Sequence, residues 1–194
     1  MEAEKVSIST SVDFLNRPPQ GFFVEEEVQF NEVFRVVFGG RFDAIDILVK
    51  DRFENDGDNS AERTFNSFSP LFGFVYSIND QVNSYLNISS SFETPTLSEL
   101  SNNPDGSGGF NGKLNPQLAR NYEIGFKGIL GNKLRFDLAL FQINLKDELV
   151  PYELEAYPGR TFFRNAGSSE RKGIEMTAKL ILAQNLTALL STTF

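Results

Sequence analysis

LNPQLARNYEIGFKGILGNKLRFDLALFQINLKDELV, residues 114–150, holds two amphipathic strands joined by a very tight turn. Leu134, Phe136, Leu138 and Leu140 share one face of a period-two strand, with Arg135 and Asp137 on the other; a helix would scatter that set around its surface. On the partner strand Tyr122, Ile124, Phe126 and Leu130 share a face, opposite Asn121, Glu123 and Lys127. The turn Leu130-Gly131-Asn132-Lys133 centres on the two residue types that tolerate positive φ, as two-residue hairpin turns demand. The unit is an antiparallel hairpin, apolar on one side and polar on the other.

The same alternation extends in both directions. VSISTSVDF (6–14) reads as a strand ended by the paired prolines Pro18 and Pro19, which cannot feed a sheet ladder. The next strand, from Gly21, carries Phe22, Val24, Val28 and Phe30 in one phase, with Glu26 intruding. Beyond a short turn at Asn31-Glu32, Phe34, Val36, Phe38 and Phe42 oppose Arg35, Arg41 and Asp43; the pair Gly39-Gly40 there predicts a bulge, a bend or close backbone approach. Residues 50–63 form a polar loop whose DGDN core lacks the glycine and glutamate spacing of an EF-hand. Strands follow over 64–78, with Phe68, Pro70, Phe72, Phe74, Tyr76 and Ile78 in phase, and over 82–92 after the turn Asn79-Asp80-Gln81. A long glycine- and asparagine-rich stretch then runs to Lys113, with a helical turn expected over 95–100. Past the 114–150 hairpin come a medium loop over 151–160, a strand over 161–182, a turn at Ala183-Gln184-Asn185 and a closing strand, LTALLSTTF. The expectation is an all-β, antiparallel chain of about nine strands.

Composition removes most alternatives. The chain has 194 residues, a formal charge of -8, twenty phenylalanines and five tyrosines, but no tryptophan, cysteine or histidine. An acidic chain is a poor partner for nucleic acid, which needs a basic surface. Without cysteine there is no disulfide or thiolate metal site, and without histidine the usual triad base and the commonest zinc ligand are missing. No catalytic residue, cofactor or metal is therefore expected, and an enzyme is not. No run approaches the ~18 apolar residues of a membrane helix, and MEAEKVSIST has neither the basic nor the apolar segment of a secretory signal.

Connection lengths point to the architecture. Long and short connections alternate strictly, so every short turn falls at one end of the sheet and every long loop at the other. Greek-key sandwiches mix the two ends, whereas outer-membrane barrels have short periplasmic turns, long external loops and an outward apolar band. A bilayer needs only ~9 to 11 tilted residues per strand, so the longer strands here would project beyond it. That accounts for the phase slip after Leu140, with a bulge near Phe141 as the rival explanation. Lipid satisfies no backbone polar group, and a charge on the lipid face near mid-membrane costs ~2 to 4 kcal/mol. Arg35, Arg41, Glu123, Lys127, Arg135, Glu175 and Lys179 are accordingly the candidate lumen-facing residues. Nine strands make an odd count, so the reading is an up-and-down transmembrane β-barrel segment that belongs to something larger.

Several motifs in order resemble the TonB-dependent receptors of the Gram-negative outer membrane. LNPQLARNYEIGFKG is similar to the family's leucine-x-proline-glutamate stretch leading into a tyrosine-glutamate-x-glycine strand, with Gln117 where glutamate is usual. FETPTLSEL (92–100), LALFQINLKDELV, RNAGSSERKGIE (164–175) and GGRFD at Gly39 resemble further family segments in register. The resemblance implies a 22-stranded barrel with an N-terminal plug, importing a scarce nutrient of the siderophore-iron, cobalamin or glycan type with energy from TonB. It implies outer-membrane lipid, a small-molecule ligand and, through an N-terminal region, the TonB energy-coupling complex as partners. On this reading residues 1–194 are a partial barrel without plug, TonB box or final strands, and the aromatic Phe194 matches the ending of outer-membrane proteins by coincidence. Haem receptors of the family carry a histidine between the FETP-like and LNPQ-like motifs, which is missing here.

Blander readings stand beside the sharp ones. Arg164, Asn165 and Glu123 are candidates for ligand contact, but holding loops and lumen hydrogen bonds is the favoured role. Glu25, Glu26 and Glu27 do not make an acid/base pair, because consecutive strand residues face opposite ways. The phenylalanine stripes lack the basic groove that base stacking requires. The sequons at Asn87 and Asn185 are accidental within strands. The alternative to a receptor wall is a soluble β-sandwich ligand- or glycan-binding module with the stripes buried between two sheets.

Overall fold

The computed structural model describes residues 20–52 and 57–194, so the expected strand over 6–14 and its terminating prolines lie outside the described residues. Eight strands form one antiparallel sheet in the order β1-β2-β3-β4-β5-β6-β9-β10. They are β1 (Gln20–Gln29), β2 (Phe34–Val49), β3 (Ala61–Asn79), β4 (Val82–Glu93), β5 (Gln117–Leu130), β6 (Leu134–Lys146), β9 (Ser168–Ala183) and β10 (Leu186–Thr193). A separate hairpin pairs β7 (Leu149–Glu153) with β8 (Thr161–Asn165), and a single helical turn, α1, covers Leu97–Leu100. The sheet is open, with β1 and β10 at its edges.

Local chemistry explains the short turns. Asn31 Oδ1 accepts the amides of Val33 and Phe34 at 2.8 and 2.9 Å, and Asn79 Oδ1 accepts those of Gln81 and Val82 at 2.9 and 3.0 Å. Both are side-chain mimics of a backbone turn. Gly131 and Asn132 each have φ of +56°, which matches the right-handed twist of the flanking strands. These turns all emerge at one end of the sheet, while β2 ends, β3 begins, and residues 94–116 and 147–167 connect strands at the other.

Register is what unites the sheet. Ala44 faces Gln20, Phe42 faces Phe68, Phe72 faces Ile88, Ile88 faces Tyr122, Ile124 faces Leu140, Leu138 faces Met176 and Leu180 faces Ala188. Even numbers meet even numbers in every regular ladder, so one face is even-numbered from Phe22 to Leu190. That face bears an apolar band over residues 34–42, 68–78, 122–130 and 174–182, nine to eleven residues on each strand. Its side chains have no layer above them: Phe68 is 64% exposed and Leu140 51%. Aromatic residues edge the band. Phe22, Phe42 and Phe68 stand in one row toward the loop end, and Phe34 stacks on Tyr76 at 5.1 Å toward the turn end. Glu26 interrupts the band opposite Phe38.

Beyond the band the polarity of the faces exchanges. Asp46, Thr64, Gln142 and Asn144 take the even face, while Ile47, Phe65, Ile143 and Leu145 take the odd one. Pairing is continuous through this point on both sides of β6, so there is no bulge near Phe141. The apolar odd-face residues are covered by the loops. Phe65, Leu100 and Leu114 form a small core against which Ile47, Phe110, Leu149 and Phe163 pack.

Three expectations change. The predicted strand over 161–182 is two strands, because Ala166 and Gly167, with Gly167 at φ +103°, break it after Asn165. The medium loop over 151–160 is largely the turn of the β7–β8 hairpin, which begins after Asp147 adopts φ +58° and leaves the wall. At Gly39 and Gly40 both flanking registers run unbroken, which selects close approach over a bulge: a methyl group at Gly39 would sit 2.5 Å from the Val24 carbonyl oxygen.

Candidate functional site

The odd-numbered face carries the charge. Across β4, β5, β6 and β9 a hollow of about 590 Å³ is lined by Tyr85, Glu123, Lys127, Arg135, Asp137, Glu175 and Lys179, among others. Tyr85 organises its centre. It stands directly across from Gly125, where an added methyl group would come 2.6 Å from the tyrosine ring and 2.5 Å from the Leu138 carbonyl oxygen. Only glycine leaves room for the ring to lie flat over the sheet and reach the next strand. Tyr85 Oη then donates to Asp137 Oδ1 at 3.2 Å, and Lys127 Nζ stands 5.1 Å over the ring.

Charge signs within the hollow are mixed but unevenly placed. Lys127 faces Asp137 across the β5–β6 ladder, an opposite-charge pair, while Arg135 faces Lys179 across β6–β9. Like charges directly opposite destabilise a bare sheet, so this cationic end is suited to an anionic group above it. Asn87, opposite Glu123, has a buried side-chain oxygen without a hydrogen-bond partner, an acceptor aimed at the same face.

Five of the seven candidate residues, Glu123, Lys127, Arg135, Glu175 and Lys179, thus meet in one place. Arg35 and Arg41 lie strands away in local pairs. Arg35 Nε is 3.4 Å from Glu27, and Arg41 clasps the buried Asp43, its Nε 2.8 Å from both carboxylate oxygens. The sequence placed Asp137 and Asp43 on the polar face without making them candidates, and Tyr85 was not singled out. Their odd numbering and, for Tyr85, the glycine facing it are the signals that would have found them.

The loop end is held by polar clamps. Asn165 Oδ1 accepts the Asn115 amide at 2.8 Å, and its Nδ2 donates to the carbonyls of Asn115 at 2.9 Å and Asp147 at 2.6 Å. Every hydrogen-bonding direction of that side chain but one is spent on the backbone, which is the loop-holding role. Gln117 bonds Glu93 and receives the Leu149 amide, joining β4, β5 and the hairpin. Thr96 and Glu99 cap α1 reciprocally. On the hairpin, Arg164 stacks over Tyr152 at 5.2 Å, and Arg160 stacks over Phe162 at 5.2 Å while donating to Asn102. In the outer turns Ser107 and Ser60 hold the carboxyls of Asp105 and Asp58 below the usual carboxylate range through side-chain and backbone hydrogen bonds.

Residues 6–194 match the family described as TonB dependent receptor-like, beta-barrel. The chain belongs to that family. It is 27% identical over 158 residues to the metal-pseudopaline receptor CntO of Pseudomonas aeruginosa, a match that covers 79% of this chain and 20% of that receptor. Among solved structures, the hemophore receptor HasR of Serratia marcescens superposes with a TM-score of 0.74 at 15% identity, covering 90% of this chain and 33% of HasR. The copper transporter OprC superposes at 0.70 and 20% identity, covering 91% and 28%. The alcaligin outer-membrane receptor FauA of Bordetella pertussis gives 0.61 at 19%, covering 90% and 30%. The chain spans about a fifth of the curated relative and about a third or less of these three solved chains.

Within the TonB-dependent receptor family these relatives are named receptors and transporters, and the antiparallel sheet of the present chain matches part of each solved barrel. Its family-like segments have distinct physical work. NYEIGFKG provides the glycine under Tyr85, LNPQ and RNAG interlock through Asn115 and Asn165, and GIE puts Gly173 beneath the Phe141 ring, Ile174 in the apolar band and Glu175 in the charged hollow.

Proposed function

We propose that this chain forms part of the wall of an outer-membrane importer, with the even-numbered face against lipid and the odd-numbered face toward the lumen. The observation that carries it is the common parity of the eight wall strands, which sets an uncovered apolar band, nine to eleven residues long on β2, β3, β5 and β9, against a charged opposite face. A run of that length, tilted at ~40°, rises ~21 to 26 Å, about the height of the apolar band of such barrels. The short turns then lie in the periplasm and the loops around α1 and the β7–β8 hairpin outside the cell. Arg35, Arg41, Glu123, Lys127, Arg135, Glu175 and Lys179 line the lumen, and the open edges at β1 and β10 are completed by further strands of the full-length receptor. TonB drives uptake through the receptor's N-terminal region. The cargo is a scarce nutrient, siderophore-bound metal being favoured over cobalamin or a glycan by the metal-pseudopaline and alcaligin receptors among the relatives. A soluble sandwich would need a second sheet over the even face; β7–β8 instead packs with the loops on the odd side.

The test is site-directed labelling in the full-length receptor refolded into vesicles. A fluorophore at Leu138 is expected to be quenched by brominated lipid and one at Thr177 by aqueous iodide. Equal quenching at both sites, or a receptor that stays soluble without detergent, would overturn the proposal.

A further inference from the structure

Three cations stand just past the loop-side edge of the apolar band, on the even-numbered face of three adjacent strands: Arg120 on β5, Lys146 on β6 and Lys172 on β9. All three are exposed. The ladders order them. Lys172 faces Gln142 in the row of Tyr122; Arg120 faces Asn144 one row further toward the loops; Lys146 faces Leu118 in the next. From strand and residue spacing, Arg120 lies about 8 Å from Lys146 and about 12 Å from Lys172 at Cα. Side chains of this length converge readily on groups within that triangle.

The surrounding chemistry leaves most of this charge available. Glu170 is the one carboxylate on the same face of these strands at this level; it pairs with Lys172 Nζ at 2.8 Å and accepts from Gln142 Nε2 at 3.3 Å. Gln142 also donates to Asn144 at 3.0 Å, so the polar rim is partly pre-ordered. Arg120 and Lys146 carry no hydrogen bond or ion pair to a described residue. The flank toward β4 is uncharged, with Ser90 beside Arg120 and Phe92 beside Leu118. The other acidic even-face strand residues, Glu26 on β1, Asp46 on β2 and Glu62 on β3, lie on the far side of β4. The patch is cationic on an otherwise acidic chain, and it continues directly from the apolar surface formed by Tyr122, Ile124, Leu140 and Ile174.

We propose that Arg120, Lys146 and Lys172 form a binding site for the phosphate headgroup of an outer-leaflet lipid whose acyl chains lie on the apolar surface below. The inference rests on the lipid-facing reading of the even face. It commits to a lipid because one ligand satisfies both halves of the surface: acyl chains against Ile124, Leu140 and Ile174, and phosphate against the cations one to three rows above. The lumen plays no part, since these side chains point away from the odd face.

Native mass spectrometry of the full-length receptor in dodecyl maltoside micelles tests it, with diphosphorylated lipid A and its dephosphorylated form as probes. Near a charged lipid surface each cation is worth about fivefold in binding. Single Arg120→Gln and Lys146→Gln variants are each expected to retain about fivefold less diphosphorylated lipid. Arg120→Gln/Lys146→Gln/Lys172→Gln is expected to approach the retention of the dephosphorylated form, whose binding none of the variants changes. Equal retention of both lipids by the native receptor, or undiminished phosphate preference in the variants, would overturn the proposal. Heat-modifiable gel migration is read on every sample. A receptor that never shows it counts against the barrel reading, whereas a folded barrel with no phosphate preference counts against this site alone. The single variants, which change one exposed side chain, carry the test if the triple variant does not fold.

Discussion

Leu138→Lys is the sharpest perturbation of the wall. Leu138 lies four residues from the polar Gln142 and five from Lys133 at the tight turn. At ~3.4 Å per residue and a tilt of ~40°, those separations put it ~10 Å below one edge of the band and ~13 Å above the other, near the midplane of a layer ~23 Å tall. Its cross-strand neighbours are Phe126 and Met176, so a lysine there has no countercharge on its face. The expected cost is the midplane value, ~2 to 4 kcal/mol, or roughly 30- to 700-fold in the folding equilibrium. The same change at Leu134, beside the turn, should cost ~0 to 1 kcal/mol. Thr177→Lys, opposite Asp137 on the charged face, should cost within ~0.5 kcal/mol. Equilibrium unfolding of the full-length receptor in lipid vesicles, followed by heat-modifiable migration, measures all three. Leu134→Lys exceeding Leu138→Lys, or Thr177→Lys matching it, would refute the assignment of faces.

Other outcomes follow from individual contacts. Gly125→Val forces a side chain into the Leu138 carbonyl and the Tyr85 ring and should destabilise by ~1 to 3 kcal/mol in the same assay; a neutral result would mean the ring is not held there. Asn165→Leu leaves the Asn115 amide and two carbonyls unpaired, at ~1 to 3 kcal/mol locally, and should speed hydrogen exchange at Asn115. Glu26→Leu removes the carboxylate from the band opposite Phe38 and should raise stability, by ~1 kcal/mol or more, rather than lower it. The Asp105 carboxyl, depressed mainly by the Ser107 hydroxyl, makes a contribution present above its unfolded value of ~3.9 and lost as pH falls below it through the folded value. The protection of the Ser107 amide relative to its intrinsic exchange rate at the same pH should therefore fall between pH 5 and pH 2, and in a Ser107→Ala variant the fall should begin at higher pH.

Much of the wall was legible because strand periodicity and turn chemistry are local. Alternation from Leu134 to Leu140 needs no knowledge of the partner strand, and Gly131-Asn132 specifies a hairpin from two residues. Connection length then ordered the strands as a meander, and the charged side chains had to share the remaining face. Where periodicity ended, so did that legibility. The β7–β8 hairpin was read as wall and loop because Phe162 and Phe163 are both apolar and give no alternating signal; one is fully buried against the loops and the other packs on the loop core.

The sequence by itself determined the strands, their tight turns and the two chemical faces, since each depends on residues a few positions apart. Only the tertiary structure decided which charges meet. Register summed across β4, β5, β6 and β9 brings Tyr85 over Gly125 to Asp137 and sets Arg135 against Lys179. The Asn115–Asn165 clamp joins two connecting segments fifty residues apart, neither of which carries a repeating pattern. Such contacts are products of chain closure, and loop residues acquire their partners only once the wall has fixed where the ends of the strands lie.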